Sequence, residues 1–273
     1  MEAKSYKRRI VVLRHAERLD AHISNAPANW LVKAFPDGEY RAVDSNAPPN
    51  LPINKPLLSD WRYDCPITLR GEREASLLGQ QMRQRGEQPD LILVSPALRC
   101  LQTAVSLRGG LISSLPLLIE PALFEYHTHR HLPPFLTAQI YATAGFPVLS
   151  HYSPCREPAS LFAPEPLEAY YQRGRDLILH ICSQHPDAKE VLLVAHGTSL
   201  DVATRMIRGL PALNRGQFWR NVMPKLPFSA YLSSAALHQL EDDSWVMVRP
   251  PPQPTARLQG QFDWRFIIPD LTF

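Results

Sequence analysis

Short runs of apolar residues predict buried β-strands in this chain. Four runs are clear, at residues 10–13, 91–94, 117–120 and 191–195. Each run is continuous rather than alternating, which is typical of a strand that is covered on both faces, as in a parallel sheet.

Helical patterns of apolar residues lie between and after these runs, at residues 76–84, 98–107, 167–182 and 199–207. Strands that alternate with helices predict an α/β fold with a mainly parallel sheet and helices on both faces. A length of 273 residues is within the range of one large α/β unit. We therefore expect a single domain over residues 1–273.

Two intervals interrupt the alternation, at residues 19–61 and 127–166, and both are rich in proline. Long loops in a compact domain are usually functional or disordered, so we expect these insertions to cover the strand ends and form the entrance for a substrate. Aromatic residues in or beside them would either line a pocket or pack in the core. These are Trp30, Phe35, Tyr40, Trp61, Phe124 and Tyr126.

Imidazole and guanidinium groups follow the predicted strands directly. Arg14, His15 and Arg18 come after the first strand, and His196 comes after the last. The carboxyl ends of parallel strands meet at one edge of a sheet, where ligands of such folds bind. A neutral imidazole can attack phosphorus, and guanidinium groups match phosphate oxygens. Alone, the segment at residues 14–18 is a weak signal, because Arg-His pairs also occur on solvated surfaces.

Two further candidates follow the middle strands. Arg99 comes after residues 91–94 and Glu125 comes after residues 117–120. Each of these residues could instead have a simpler structural role. Arg99 could form a surface ion pair, and Glu125 could cap a helix. Arg18, after the first strand, could form an ion pair with Asp20 or Glu17.

Five segments in this order resemble the histidine phosphatase superfamily, in the branch that includes cofactor-dependent phosphoglycerate mutases. They are residues 14–18, 64–71, 95–104, 123–125 and 194–197, which together span almost the whole chain. A narrower resemblance, to the TULA family (suppressors of T-cell receptor signalling) and to ecdysteroid-phosphate phosphatase, rests on residues 14–20, 95–100, 123–126 and 260–265.

The resemblance implies a covalent mechanism. His15 would attack phosphorus to give a phosphohistidine, which water then hydrolyses. Arg14, Arg18 and Arg99 would bind and neutralise the phosphoryl oxygens. We expect repulsion from these three charges to lower the pKa of His15, which keeps the nucleophile unprotonated.

The resemblance also implies roles for the other candidates. His196 would donate a hydrogen bond to a phosphoryl oxygen, and Glu125 would protonate the leaving oxygen and then activate water. Glu17 would act as a structural partner. The superfamily usually has glycine after the nucleophile, whereas this chain has Ala16, which matters only if the backbone needs a positive φ or the phosphate approaches very closely.

Other phosphatase chemistries lack their motifs. The four cysteines form no Cys-x-x-Cys pair, and Cys65 precedes Arg70 by too few residues for a cysteine-dependent tyrosine phosphatase loop. His127, His129 and His131 alternate and could hold a metal, but an exposed polar loop is the favoured interpretation because a phosphohistidine route needs no metal. We expect no cofactor.

Charge and hydropathy limit the partners. A net charge of +3 predicts no nucleic-acid binding. No apolar run approaches the roughly 20 residues that span a bilayer, and residues 1–9 lack a secretory-signal pattern, so we expect a cytoplasmic protein without membrane contact. The aromatic C-terminal segment would pack onto the core or onto a partner subunit, which leaves a homodimer open, and the chain is either a stand-alone protein or part of a longer one.

The favoured function is hydrolysis of phosphotyrosine or another bulky aryl or alkyl phosphate. A phosphoglycerate-type mutase and a signalling scaffold that only binds phosphorylated partners are the alternatives.

Overall fold

A six-stranded sheet forms the centre of the computed structural model, which describes residues 5–23, 29–62, 64–126, 135–157, 159, 163–222 and 230–252. The strand order is β3-β2-β4-β1-β5-β6. The strands are β1 (Tyr6–Arg14), β2 (Leu91–Val94), β3 (Leu117–Ile119), β4 (Glu190–Ala195), β5 (Ser234–Leu240) and β6 (Trp245–Val248).

The four strands that the apolar runs predicted are mutually parallel. β1 pairs with β4, β4 with β2, and β2 with β3, so their carboxyl ends lie at one edge of the sheet. β5 and β6 extend the sheet beyond β1 in antiparallel pairing. The sequence analysis did not predict these two strands, because β6 is only partly buried and β5 mixes small, polar and apolar residues.

Eight α-helices surround the sheet within the described residues. They are α1 (Leu19–Ile23), α2 (Asn29–Ala34), α3 (Leu69–Gln84), α4 (Leu98–Leu111), α5 (Ala138–Thr143), α6 (Leu167–Gln184), α7 (Ser199–Arg205) and α8 (Arg215–Asn221). The four predicted helices correspond to α3, α4, α6 and α7. None of the helices in the described part of the chain is long and apolar enough to cross a membrane.

The four parallel strands are buried on both faces, as their continuous apolar runs require. Along β1, Val11 and Leu13 belong to the core cluster that includes the inner faces of α3 and α4. Ile10 and Val12 point to the opposite face, into a cluster with residues of α6 and α7. Successive side chains of a strand alternate between faces, so two helical layers require both sets to be apolar.

The interval at residues 19–61 is partly helical, because it contains α1, α2 and a 3₁₀ helix at Leu58–Trp61. Its aromatic residues pack on one another: the ring centroids of Trp30 and Phe35 lie 5.8 Å apart, and those of Phe35 and Trp61 lie 6.4 Å apart. All three are buried core residues. The sequence left open whether these aromatic side chains line a pocket or pack in the core, and the structure shows that these three pack in the core.

A buried ion pair joins this interval to the helix that bears Arg99. Lys55 and Asp64 contact each other with side chains that are 2% and 1% exposed. The other carboxylate oxygen of Asp64 accepts from the backbone N–H of Leu98 at 2.7 Å, where α4 begins. The carboxylate therefore supplies the N-terminal capping interaction that Ala97, the residue at the cap position, cannot make.

Helices α3 and α4 approach closely through reciprocal glycines. A Cβ atom placed on Gly110 of α4 would lie 2.0 Å from the Ser76 carbonyl oxygen, and one on Gly79 of α3 would lie 2.2 Å from the Leu107 carbonyl oxygen. Both clashes are with backbone, which cannot rotate away. The spacing of these two helices, and hence the placement of α4, depends on the absence of side chains at both positions.

Adjacent glycines of α4 provide a matched test of this packing. We expect Gly110→Ala to lower the free energy of unfolding by ~1–3 kcal/mol, because the methyl group forces the helices apart. A Cβ on Gly109 would meet nothing within 4 Å. Gly109→Ala should therefore raise the free energy of unfolding by roughly 0.5–1 kcal/mol through helix propensity. Urea denaturation measures both, and equal effects of the two substitutions would refute the close approach.

Candidate active site

The two candidate histidines lie side by side because β1 and β4 are parallel neighbours. Arg14 pairs with Ala195 in their register, so His15 and His196 are the next residues of the two strands. The backbone N–H of His15 continues the ladder by donating to the Ala195 carbonyl at 2.9 Å. The two imidazole centroids are 5.6 Å apart in an edge-to-face arrangement.

A backbone contact determines which nitrogen of His15 carries hydrogen. Nδ1 lies 2.8 Å from the carbonyl oxygen of Ala16. A carbonyl oxygen can only accept, so Nδ1 is the donor and the lone pair of the neutral ring lies on Nε2. Nε2 is therefore the nitrogen that can act as a nucleophile.

The surroundings of the two rings favour their neutral forms. Burial lowers the pKa of His15 well below its usual range, and the charges of Arg99 and Arg14 lower it further. The pKa of His196 is lowered in the same way, by burial first and then by Arg99 and Arg18. The sequence predicted this shift from the charges of the arginines alone, whereas burial is the larger cause.

His196 has a hydrogen-bonding partner at each ring nitrogen. Nη2 of Arg99 lies 3.1 Å from Nδ1, and the hydroxyl of Ser95 lies 2.8 Å from Nε2. Because a guanidinium can only donate, Nδ1 is the acceptor here, and Nε2 of the neutral ring donates to Ser95. A serine hydroxyl both donates and accepts, so it can pair with either tautomer of this histidine.

Glu125 contacts Arg99 and His196 from the solvent side of the site. Its carboxylate accepts from Nη2 of Arg99, and its second oxygen lies 3.7 Å from Nδ1 of His196. The side chain of Arg99 is 1% exposed and that of Glu125 is 37% exposed. The carboxylate therefore lies at the boundary between the buried cationic groups and water, where it can exchange protons.

The other two arginines have their own partners. Arg18 donates to both carboxylate oxygens of Asp20, at 2.9 and 2.5 Å, so the ion pair considered in the sequence analysis is present. Its charge nevertheless acts on both imidazoles, because it lowers the pKa of each. The guanidinium carbon of Arg14 lies 4.8 Å from the ring centroid of Tyr231, a cation–π contact.

Glu17 joins the loop that follows β1 to the start of α3. Its carboxylate accepts from the guanidinium of Arg70 and from the Thr68 hydroxyl, the latter at 2.7 Å. Both partners lie at the start of α3. These contacts agree with the predicted structural role of Glu17.

Ala16 does not have the positive φ that would favour glycine at this position. It is not among the non-glycine residues with positive φ in the described chain, which are Ile112, Leu232 and Asp243. Its backbone N–H donates to the Thr103 hydroxyl at 2.9 Å. The departure from the usual glycine is therefore compatible with the observed backbone.

The buried cysteines near the site are inert thiols. Burial raises the pKa of both Cys65 and Cys100 to about 12. The thiol of Cys100 lies 3.3 Å from the Ala195 carbonyl oxygen, to which it donates. A thiol that stays protonated is a poor nucleophile, which leaves the imidazoles as the nucleophilic groups in this cluster.

Aromatic rings contact both imidazoles. The centroid of Phe124 lies 5.4 Å from that of His196, and the centroid of Tyr231 lies 5.8 Å from that of His15. Tyr126 instead packs against Tyr170, with centroids 5.5 Å apart. Of the aromatic residues named in the sequence analysis, Phe124 contacts a candidate catalytic group.

The fold thus brings all six predicted side chains to the carboxyl edge of the sheet. They are Arg14, His15, Arg18, Arg99, Glu125 and His196. Two neighbours were not predicted. Ser95 directly follows β2 and begins the family-like segment at residues 95–104. Its position at the end of a buried strand could have identified it as a candidate site residue. Tyr231 had no such signal, because the strand that follows it was not predicted.

Two sequence features lie outside the described residues. They are the three alternating histidines, His127, His129 and His131, and the C-terminal segment at residues 260–265. The metal alternative and the aromatic tail stay predictions of the sequence.

Curated relatives match nearly the whole chain. Ecdysteroid-phosphate phosphatase of Drosophila melanogaster is 32% identical over 265 residues, covering 94% of this chain and 34% of that protein. Human ubiquitin-associated and SH3 domain-containing protein B is 31% identical over 267 residues, covering 95% of this chain and 40% of that protein. The chain therefore spans between a third and a half of the length of these relatives.

A solved structure shares the fold. The crystal structure of the ecdysone phosphate phosphatase from Bombyx mori, in complex with tungstate, superposes with a TM-score of 0.76 and 27% identity. The match covers 96% of this chain and all of that one.

The family model of the histidine phosphatase superfamily (branch 1) matches residues 56–224, which is more than half of the chain. The matched interval contains Arg99, Glu125 and His196, and the segment with Arg14 and His15 precedes it. With this match, and with the two strand-end imidazoles adjacent at one sheet edge, the chain belongs to the histidine phosphatase superfamily.

Proposed function

We propose that this chain is a phosphomonoesterase that hydrolyses a phosphate ester through a covalent phosphohistidine on His15. The observation that carries the proposal is the setting of this ring: it is buried beside Arg99 and Arg14, which lowers its pKa and favours the neutral form, and its Nδ1 contacts a carbonyl oxygen, which leaves the lone pair on Nε2. A neutral imidazole beside arginine charges combines a nucleophile with the groups that bind its anionic target.

The first step would transfer the phosphoryl group to the enzyme. Nε2 of His15 forms a bond to phosphorus as the bond to the leaving oxygen breaks. Arg14, Arg18 and Arg99 neutralise the phosphoryl oxygens, and the bound tungstate of the Bombyx mori relative supports an oxyanion site in this fold.

Glu125 is the group that would handle the proton. An incoming phosphate dianion replaces the carboxylate as the anionic partner of Arg99 and places negative charge beside Glu125, which favours its protonated form. The carboxyl then gives its proton to the leaving oxygen. In the second step the carboxylate takes a proton from water, and the resulting nucleophile releases phosphate from His15.

His196 would bind a phosphoryl oxygen through Nδ1. In the described state Nδ1 accepts from Arg99, so donation to phosphate requires the hydrogen to move from Nε2 to Nδ1. Ser95 can follow this change by turning from acceptor to donor. We infer that Ser95 keeps Nε2 satisfied in both states.

The substrate we propose is phosphotyrosine or another bulky aryl or alkyl phosphate. Tyr231 is half-buried beside His15 and offers aromatic surface to an apolar leaving group, whereas Phe124 is buried against His196. The name of the Drosophila melanogaster relative, ecdysteroid-phosphate phosphatase, points to a bulky substrate in that protein. A net charge of +3 supports the inference that nucleic acid is not the partner. A cytoplasmic location, a single domain and a homodimer stay predictions of the sequence.

Rapid-quench trapping tests the proposed intermediate. With p-nitrophenyl phosphate we expect an acid-labile, base-stable phosphoprotein in the wild type and none in His15→Ala, because the variant lacks the attacking nitrogen. Phosphotyrosine peptide, a steroid phosphate and 3-phosphoglycerate complete the substrate panel. Undiminished turnover by His15→Ala would refute the mechanism, silence on all four esters would favour a scaffold, and return of the phosphoryl group to the sugar acid would favour a mutase.

Arg99→Ala tests the cationic site. The substitution removes charge-assisted hydrogen bonds to the phosphoryl group, worth ~1.5–3 kcal/mol. We expect kcat/KM to fall roughly 10- to 150-fold if the contact acts in the transition state. Arg9→Gln is the control, because Arg9 pairs with Glu87 and Glu190 near the amino end of β1. An Arg99→Ala enzyme as active as the control would exclude Arg99 from phosphate binding.

The lowered pKa of His15 predicts the protonation state of the resting enzyme. A histidine whose pKa is lowered stays neutral as pH falls, until pH passes below that lowered value. In NMR spectra of ring-labelled histidine, assigned with His15→Asn, the His15 signals should keep their neutral positions between about pH 7.5 and about pH 5.5. A titration midpoint at about 6.5, the ordinary value, would contradict the proposed neutral nucleophile.

A further inference from the structure

Glu125 lies on backbone that belongs to neither a helix nor a strand. The chain leaves β3, forms a 3₁₀ helix at Pro121–Leu123, and continues through Phe124 without regular structure. A proton-transferring carboxylate must nevertheless meet the leaving oxygen within hydrogen-bond distance. Some other contact must fix this segment.

That contact comes from Arg173 of α6. Its side chain is 4% exposed, and Nη1 donates to the carbonyl oxygens of Ala122 at 2.6 Å and Phe124 at 2.8 Å. The Phe124 carbonyl belongs to the peptide group that joins Phe124 to Glu125. One nitrogen therefore sets the orientation of the peptide plane immediately before the carboxylate.

Arg173 is itself immobilised from two sides. Its Nε donates to Glu165 at 3.2 Å, and Nη2 contacts the same carboxylate. Its guanidinium carbon lies 4.7 Å from the ring centroid of Tyr170. The guanidinium is buried, with a carboxylate bound on one side and two carbonyl oxygens on the other, so its orientation is fixed. It can therefore fix the orientation of the carbonyl groups that it contacts.

The same region of α6 reaches the segment that follows His196. The hydroxyl of Tyr170 lies 2.7 Å from the hydroxyl of Thr198, two residues beyond the histidine. α6 also packs closely on α7, because a Cβ atom on Gly174 would lie 2.7 Å from a methyl group of Val202. α6 thus contacts both segments whose separation decides the distance between Glu125 and His196.

We propose that Arg173 is a positioning residue for proton transfer by Glu125, and this inference rests on the proposed phosphatase function. Arg173 reaches no reacting atom; it acts through the Phe124–Glu125 peptide group. Its loss would let the carboxylate move away from the leaving oxygen while the arginines and His15 stay in place.

The dependence on the leaving group separates this role from a structural one. p-Nitrophenolate leaves without protonation, whereas an alkoxide needs the proton. The ratio kcat/KM covers the steps up to release of the leaving group and leaves out hydrolysis of the phosphohistidine, in which Glu125 also acts. For Arg173→Met we expect kcat/KM on an alkyl phosphate such as a steroid phosphate to fall roughly 10- to 100-fold, and kcat/KM on p-nitrophenyl phosphate to fall less than about 3-fold. Arg173→Lys, which keeps the charge but cannot bridge both carbonyls and Glu165, should give an intermediate loss with the same selectivity.

Arg205→Met is the matched control. Arg205 also forms a partly buried ion pair, in which its Nε lies 3.0 Å from both oxygens of Asp201, and it belongs to the neighbouring α7. We expect it to lower the melting temperature as Arg173→Met does, without selectivity between the two esters. The comparison removes general loss of stability as an explanation.

A double-mutant cycle identifies the group through which Arg173 acts. Glu125→Gln should reproduce the selective loss on the alkyl phosphate, and Arg173→Met in that background should add less than about 2-fold. Multiplied effects would overturn the proposal, as would equal losses on both esters. If Arg173→Met does not fold, Arg173→Lys provides the same comparison. A wild type that hydrolyses neither ester would instead refute the phosphatase function itself.

Discussion

The parallel pairing of β1 with β4 is the constraint on which the candidate site depends. The strands are adjacent and in register, so that Arg14 lies opposite Ala195 and the two histidines leave the ladder together. β2 on the other side of β4 brings Ser95 beneath His196, and α4 then carries Arg99 back toward the same ring. A shift of this register by one residue would turn one imidazole to the opposite face of the sheet, because strand side chains alternate between faces. The backbone hydrogen bonds of the sheet thus determine the distance between two groups that lie far apart in sequence.

Charge and burial act together at this edge. Two imidazoles are buried beside three guanidinium groups, which is unfavourable for protonated rings and favourable for a bound dianion. Asp20 and Glu125 carry the negative charge that balances the arginines in the described state. The arrangement is therefore most compatible with an anion that can compete with the Glu125 carboxylate for Arg99. Around this centre, buried ion pairs such as Lys55 with Asp64 and Arg173 with Glu165 hold the loops and helix ends from which the charged groups project.

Much of this architecture could be predicted from the chain alone. The four parallel strands were recognisable because each is buried on both faces and therefore continuously apolar, and β2 was located to the residue. The six candidate residues were recognisable because each follows such a strand or opens the next helix. The antiparallel pair β5 and β6 was not predicted, since β6 is partly exposed and its pattern is weak. Tyr231 was missed with it. Arg173 was missed for a different reason: a lone arginine in a helix gives no sign that its guanidinium will contact two carbonyls 51 and 49 residues earlier in the chain.

Local residue chemistry determined the kinds of group present and their order along the chain: imidazole and guanidinium groups after buried strands, and a carboxyl after β3. It also determined the α/β fold class, because hydrophobic periodicity reflects burial on one face or on both. Only the tertiary structure decided which nitrogen of each imidazole carries hydrogen, that burial outweighs the arginines in lowering the pKa of His15, and that Arg18 pairs with Asp20. These properties depend on distances between atoms from different strands and helices, and such distances are set by packing and register.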